Sequence, residues 1–355
     1  MASHIEVLPP LFNTAGEKVV PSDWEKRRSE IKDMLEREMY GHIPAGNFDV
    51  QGKIVSSEPI YDGAAIFETV ELSFGRGDRL HFPVNIARPN DGNRHRALTC
   101  IAFLDQLRSP AEHEAVVNAG LIVATFLYES LAPDNKQTNA PIYSMFAGNE
   151  VKAIALWAFC NKILIDWLDQ TGYAISNEYI TTGHSRNGKA ALCAGIYDER
   201  IRITVPNNSG CGGCGCFRYL GSTAGVTQDK TRTECLERIT SEFPHWFSKN
   251  LTKYYDNLGI TSFALNEALP FDLHFNKALI APRILYSLEA DGDEWANPYG
   301  SMLTFESAKP VFELYGVPDH IGFIRRDGGH EFNEDDWNRI IEISGKFPPV
   351  SLKDN

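Results

Sequence analysis

No apolar run in this chain approaches the roughly 20 residues of a membrane-crossing helix, so no helical span is expected. Basic charge is also scarce. With 34 Lys and Arg against 47 Asp and Glu the net charge is -13, which argues against nucleic acid as a partner while leaving room for a small anion in a local basic pocket. The opening "MASHIEVLPPLF" lacks a basic segment, an apolar stretch and a small-residue cleavage site. The chain as written is therefore expected in the cytoplasm, or outside the cell if a native leader has been removed. Seven cysteines cannot all pair, and three crowd into "SGCGGCGCFRYL". No second C-x-x-C or H-x-x-x-H follows, so no metal is expected and the cluster reads as small residues in a tightly packed loop. A disulfide inside the cluster, or from it to Cys235, stays open. Repeats and low-complexity segments are absent as well.

What the chain does have is a globular composition, 43% apolar and 11% aromatic, enough to fill one large domain or two modest ones. "PSDWEKRRSEIKDMLEREMYG" predicts a helix begun by Pro21 and capped through Ser22 and Glu25. Trp24, Ile31, Leu35 and Met39 lie on its apolar face, and Gly41 ends it. Between residues 48 and 90, runs such as "AIFETVELSF" and "RLHFPVNIARP" predict antiparallel hairpins. From Leu98 onward short apolar runs alternate with helical patterns, the signature of a parallel sheet covered on both faces. Residues 208–275 break that rhythm with a Gly/Cys-rich loop, a charged helix and "FPHWFSKNLTKYY", predicting an insertion that roofs a site. One domain over 1–355 is expected, with residues 1–95 as a helix and hairpin extension.

The stretch "YITTGHSRNGKAAL" admits two chemistries. Gly183 to Lys189 fits the phosphate-cradling pattern G-x-x-x-x-G-K, but the hydroxyl that should follow the lysine to hold Mg²⁺ is replaced by Ala190. Gly183-His184-Ser185 equally begins the sharp strand-to-helix turn of a serine hydrolase, which requires a later acid and then a later histidine, each after a strand. "PRILYSL" runs out into "EADGDEWANP", offering Glu289, Asp291 and Asp293, and "HIGFIRR" runs out into "DGGHEF", offering His330. Gly328 and Gly329 allow that loop to bend, and Asn333 caps the helix after it. His184 adjoins the serine too closely in sequence to be its base, and His320 precedes its strand.

Asn187 stands where G-x-S-x-G has its last glycine, and Gly188 follows one place later. This extended G-x-S-R-x-G-K resembles the glucuronoyl esterases, family 15 of the carbohydrate esterases, as do "VPNNSGCGG", "FPHWF", "DEWANP" and "GGH". The resemblance implies an α/β-hydrolase fold and cleavage of esters between xylan glucuronic acid and lignin alcohols. It further implies Ser185 as nucleophile, His330 as base and Arg186 at the oxyanion through its backbone N–H and side chain. Lys189, Trp295 and Glu234 would meet the sugar, with Glu237 and Glu242 as rivals of Glu234. Where many members carry a glutamate as the triad acid this chain has Asn208, so the acid is expected from the later strand, Asp293 first and Asp291 second. His184 replaces the cysteine common in close members.

The expected reaction is acyl transfer through an acyl-enzyme on a carbohydrate ester, with no metal or organic cofactor. The alternatives are an acetyl or general carboxylesterase on decorated sugars, a P-loop nucleotide binder, and a hydrolase-shaped binding protein without catalysis.

Overall fold

The computed structural model describes residues 18–43, 46, 48–75, 77, 79–106, 113–222, 225–226, 232–254 and 269–350. The N-terminal "MASHIEVLPPLF" and the parts of the expected insertion at 223–224, 227–231 and 255–268 lie outside them.

Pro21 opens a 3₁₀ turn that leads into an α-helix, Trp24–Leu35, and a π turn, Glu36–Tyr40, closed by Gly41 at φ +76°. Trp24, Ile31, Leu35 and Met39 are buried, as their spacing predicts. The cap differs from expectation. Ser22 Oγ bonds the Asp23 carboxylate rather than a helix N–H, because the turn starts at Pro21 and needs no donor partner there.

The next runs form β1 (Gln51–Ile60), β2 (Ala65–Phe74) and β3 (Leu80–Pro89), paired antiparallel. Then come β4 (Arg96–Ala102), β5 (Leu121–Leu127), β6 (Tyr179–His184) and β7 (Ile201–Asn207). A two-residue hairpin, β8 (Gly221–Ser222) and β9 (Gly225–Val226), precedes β10 (Ile284–Ala290) and β11 (Ile321–Arg326). Among the described residues nine of these strands make one sheet in the order β1-β2-β3-β5-β4-β6-β7-β10-β11. The six from β5 to β11 run parallel. The hairpins are not an appendage, since β3 pairs with β5 along Asn85–Ala87 and extends the same sheet.

Side chains alternate across the sheet as the period of two requires. Along β4, Ala97 and Ile101 join a core with the helices Ala153–Thr171 and Arg186–Tyr197, while Leu98, Cys100 and Ala102 join the opposite core with Trp337, Ile340 and Ile343 of the last helix. Strands β4 and β10 are buried at every residue, which is why they read as short apolar runs without a polar face. From β4 the chain turns outward to β5 and returns to β6 on β4's other side. That reversal separates the loops after β4 and β6 and opens a crevice at the C-terminal rim of the sheet.

Candidate active site

Strand β6 ends at His184, and Ser185 occupies the turn with φ +57° and ψ -125° before the helix Arg186–Tyr197 begins. Two glycines make the turn possible. A Cβ at Gly183 would lie 2.5 Å from Asn187 O, and one at Gly188 would meet Gly183 O at 2.9 Å and Asn207 O at 3.0 Å. Close packing thus falls on Gly188 and on the Asn187 backbone against Gly183, with the Asn187 side chain fully buried. The phosphate-cradle reading fails on geometry: Ser185 alone separates β6 from the helix, which leaves no glycine-rich loop to wrap a phosphate. Lys189 Nζ is buried against Ser209 O and the Glu234 carboxylate, both at 2.7 Å.

Because β6, β10 and β11 are parallel, the segments that follow them emerge at one rim. There His330 Nε2 lies 2.9 Å from Ser185 Oγ, and His330 Nδ1 lies 2.6 Å from Asp293 Oδ2. A carboxylate only accepts, so the Nδ1 proton points at Asp293 and Nε2 is the nitrogen open to a hydroxyl proton. Asp293 is buried, with its other oxygen accepting from Ala296 N at 3.1 Å. The rival acids go elsewhere. Asp291 takes two bonds from Arg325, at 2.6 and 2.8 Å. Glu289 is buried at the strand end and accepts from Ser301 Oγ; burial, opposed by Ser301 and Lys277, pushes its carboxyl up to about 8.

Asn208 has a use that its type alone did not reveal. Its Oδ1 accepts from Ala290 N at 2.9 Å and its Nδ2 donates to Gly329 O at 3.3 Å, so it laces the end of β10 to the loop carrying His330. Gly292 N donates to Gly328 O at 2.9 Å, tying the acid loop to the same turn. Beyond it Asn333 caps the last helix, and Asp336 completes a capping box.

Arg186 is the first residue of the helix after the serine, so its N–H has no acceptor within the helix. Its guanidinium pairs with Asp134 and lies over Trp246, 4.9 Å from the ring centre. Asp134 also accepts from Tyr128 Oη at 3.0 Å, His245 Nε2 at 2.7 Å and Trp246 Nε1 at 2.8 Å. Burial pushes that carboxyl up, but the donors from His245, Trp246 and Arg186 prevail and hold it well below the usual carboxylate range. Asp134 sits in the aperiodic "LAPDNKQTN", which carries no motif that marks it. "FPHWF" anchors this hub, with Phe243 stacked on Trp246 at 4.0 Å.

Glu234 is not on a helix face. It precedes the helix Leu236–Ser241, is buried, and accepts from Cys211 N at 2.9 Å as well as from Lys189. Its own N–H donates to Trp295 O at 3.0 Å, so the three residues expected at the sugar are neighbours. Trp295 is half-buried beneath the Arg238 guanidinium, 5.2 Å away. Glu242 is exposed and paired with Arg238, and Glu237 is half-buried. Cys211, Cys214 and Cys216 are buried thiols, so neither disulfide left open by the sequence forms. Among the described residues no group of three His, Cys, Asp or Glu is placed to hold a metal.

A cleft of about 850 Å³ opens on the other side of His330, between Phe103–Gln106, Tyr128, Glu129 and the segment 330–332. The expected roof over 208–275 contributes no described residue to it. Two of its walls follow β4 and β5, the strands at the chain reversal, in loops that carry no motif, and the third follows β11 in the segment that begins with His330.

A family profile described as "Glucuronyl esterase, fungi" matches residues 73–316. A 4-O-methyl-glucuronoyl methylesterase of Phanerochaete carnosa is 29% identical, over 96% of this chain and 80% of its own. The solved structure of a promiscuous esterase of carbohydrate esterase family 15 from a marine bacterial metagenome superposes with a TM-score of 0.80 at 26% identity, over 96% of both chains. A glucuronoyl esterase of that family from Caldicellulosiruptor kristjansonii does so with 0.77 at 28%, over 96% of this chain and 90% of its own. With the sheet order, the serine turn and these likenesses in agreement, the chain belongs to the glucuronyl esterase family.

Proposed function

We propose that the protein hydrolyses glucuronoyl esters, with Ser185 as nucleophile, His330 as general base and Asp293 as the carboxylate that orients it. The observation that carries this is the unbroken chain from Asp293 through His330 to Ser185, 2.6 and 2.9 Å long at its two links. Ser185 Oγ attacks the ester carbonyl as its proton passes to His330 Nε2, and Asp293 stabilises the resulting imidazolium. The alcohol leaves with that proton, and water then repeats the sequence on the acyl-enzyme. The N–H of Arg186, and its guanidinium held by Asp134, face the oxyanion; such donors are typically worth about 3–4 kcal/mol of barrier.

Lys189, Glu234 and Trp295 bind the uronate ring. Lys189 and Glu234 balance each other's charge, so the pair suits a neutral, hydroxyl-rich ring whose carboxyl is esterified better than a free anion. The relatives named as 4-O-methyl-glucuronoyl methylesterases support this substrate class. Ser185→Ala should abolish turnover of methyl or benzyl glucuronate while leaving the circular dichroism spectrum unchanged. Activity retained in that variant removes the mechanism, and faster wild-type turnover of acetylated xylan than of glucuronate esters removes the substrate assignment.

A further inference from the structure

His184 takes no part in the proton chain described above. Its Nδ1 lies 2.6 Å from Oδ1 of Asn207, the residue directly across from it on β7. An amide oxygen only accepts, so Nδ1 carries the ring proton and Nε2 is left as a lone pair. No described residue bonds that Nε2, and the ring lines the same cleft as His330. The two imidazole centres are 4.5 Å apart, and Phe332 stacks parallel to the His184 ring within 8°. Burial, and the neighbouring His330 when charged, lower its basicity to about 4, so it remains an acceptor while His330 holds a proton.

We propose that His184 Nε2 accepts a hydrogen bond from the water that gives a proton to His330 in deacylation. This rests on the nucleophile and base assigned under the proposed function. In deacylation the water oxygen bonds to the acyl carbon, and one water proton moves to His330 Nε2. The bond to Ser185 Oγ then breaks, and the serine takes that proton back. The second water hydrogen stays on oxygen and is donated to His184 throughout, so the water lies between two imidazoles and cannot rotate its lone pair away from the carbonyl.

His184→Phe keeps a ring against Phe332 and removes the acceptor. A single neutral hydrogen bond made to the reacting water predicts a fall in kcat on methyl glucuronate of about threefold to tenfold, with KM within about twofold. Labelling of Ser185 by a fluorophosphonate probe, whose leaving group is fluoride and needs no such acceptor, should keep its wild-type rate. Asn207→Asp is the second variant, and it raises the basicity of His184. The charged groups facing that ring are His330, Asp293 and Arg326, with Asp105, Glu129 and Glu331 around the cleft. In Asn207→Asp, kcat should gain an acid limb as Nε2 protonates, absent from the pH profile of labelling. Unchanged turnover in His184→Phe overturns the proposal, as do turnover and labelling falling together or an Asn207→Asp profile like that of the wild type. A wild-type protein that neither labels nor turns over points instead to failure of the nucleophile assignment.

Discussion

Ser185 holds a backbone conformation that costs a residue with a side chain about 1–3 kcal/mol, sustained because Gly183 and Gly188 let strand and helix close around it. Replacing it by glycine removes both the strain and the hydroxyl proposed as nucleophile. Ser185→Gly should unfold at higher urea, by about 1 kcal/mol after the added freedom of the unfolded chain is counted, and have no esterase activity. His184 gives a second expectation at this scale. Its basicity falls from the ordinary 6.5 to about 4, so the unfolded chain binds a proton there that the folded protein does not. That contribution is fully present above pH 6.5 and is lost as pH falls through 4, about 3 kcal/mol in all. Urea titrations at pH 7.5 and 4 should show the wild type losing more stability between the two than His184→Phe does.

At the scale of elements the site depends on two buried carboxylates that join distant segments. Asp134 collects donors from the end of β5, the helix after the serine and the "FPHWF" segment. Asp134→Asn keeps the shape but loses the charge that anchors Arg186. Denaturant titration should show a loss of about 3 kcal/mol, and kcat should fall at least tenfold with little change in KM. Glu234 similarly joins the insertion to Lys189. Glu234→Ala strands a buried ammonium and should cost about 3–5 kcal/mol, whereas Lys189→Met with Glu234→Met should cost less, although both raise KM for glucuronate esters. Lys189 is readable as a cation one turn from the serine and Glu234 only through the family resemblance, but their pairing is not readable. Glu234 reads as a solvated helix residue until the chain places it under Cys211 and Trp295.

The whole molecule is built so that its N-terminal segment cannot be removed. Trp24, Ile31, Leu35, Met39 and Tyr40 belong to the same core as the helix Ala153–Thr171, and Tyr40 Oη accepts from Asn276 Nδ2 at 2.7 Å. Strands β1 to β3 extend the sheet itself. Deleting residues 1–50 should therefore give insoluble protein rather than a free hydrolase core, and Trp24→Ala should lower stability by about 3–5 kcal/mol in thermal or urea unfolding. The sequence showed these pieces as a helix and hairpins, because helical spacing and alternation are local properties. Joining them to the main sheet takes a pairing between Asn85 and Thr125, which no local pattern announces.

The sequence by itself determined the alternation of strands and helices, the serine turn with its glycines, and the later acid and histidine in order along the chain. Each of these is a relation between near neighbours or a fixed order of segments. Only the tertiary structure decided that Asp293 and not Asp291 meets His330, that Asn208 braces the histidine loop, and that Asp134 gathers Arg186 and Trp246. Those choices turn on which side chains a parallel sheet brings to one rim and which of them find a partner there, distances set by strand order and loop path that spacing along the chain does not encode.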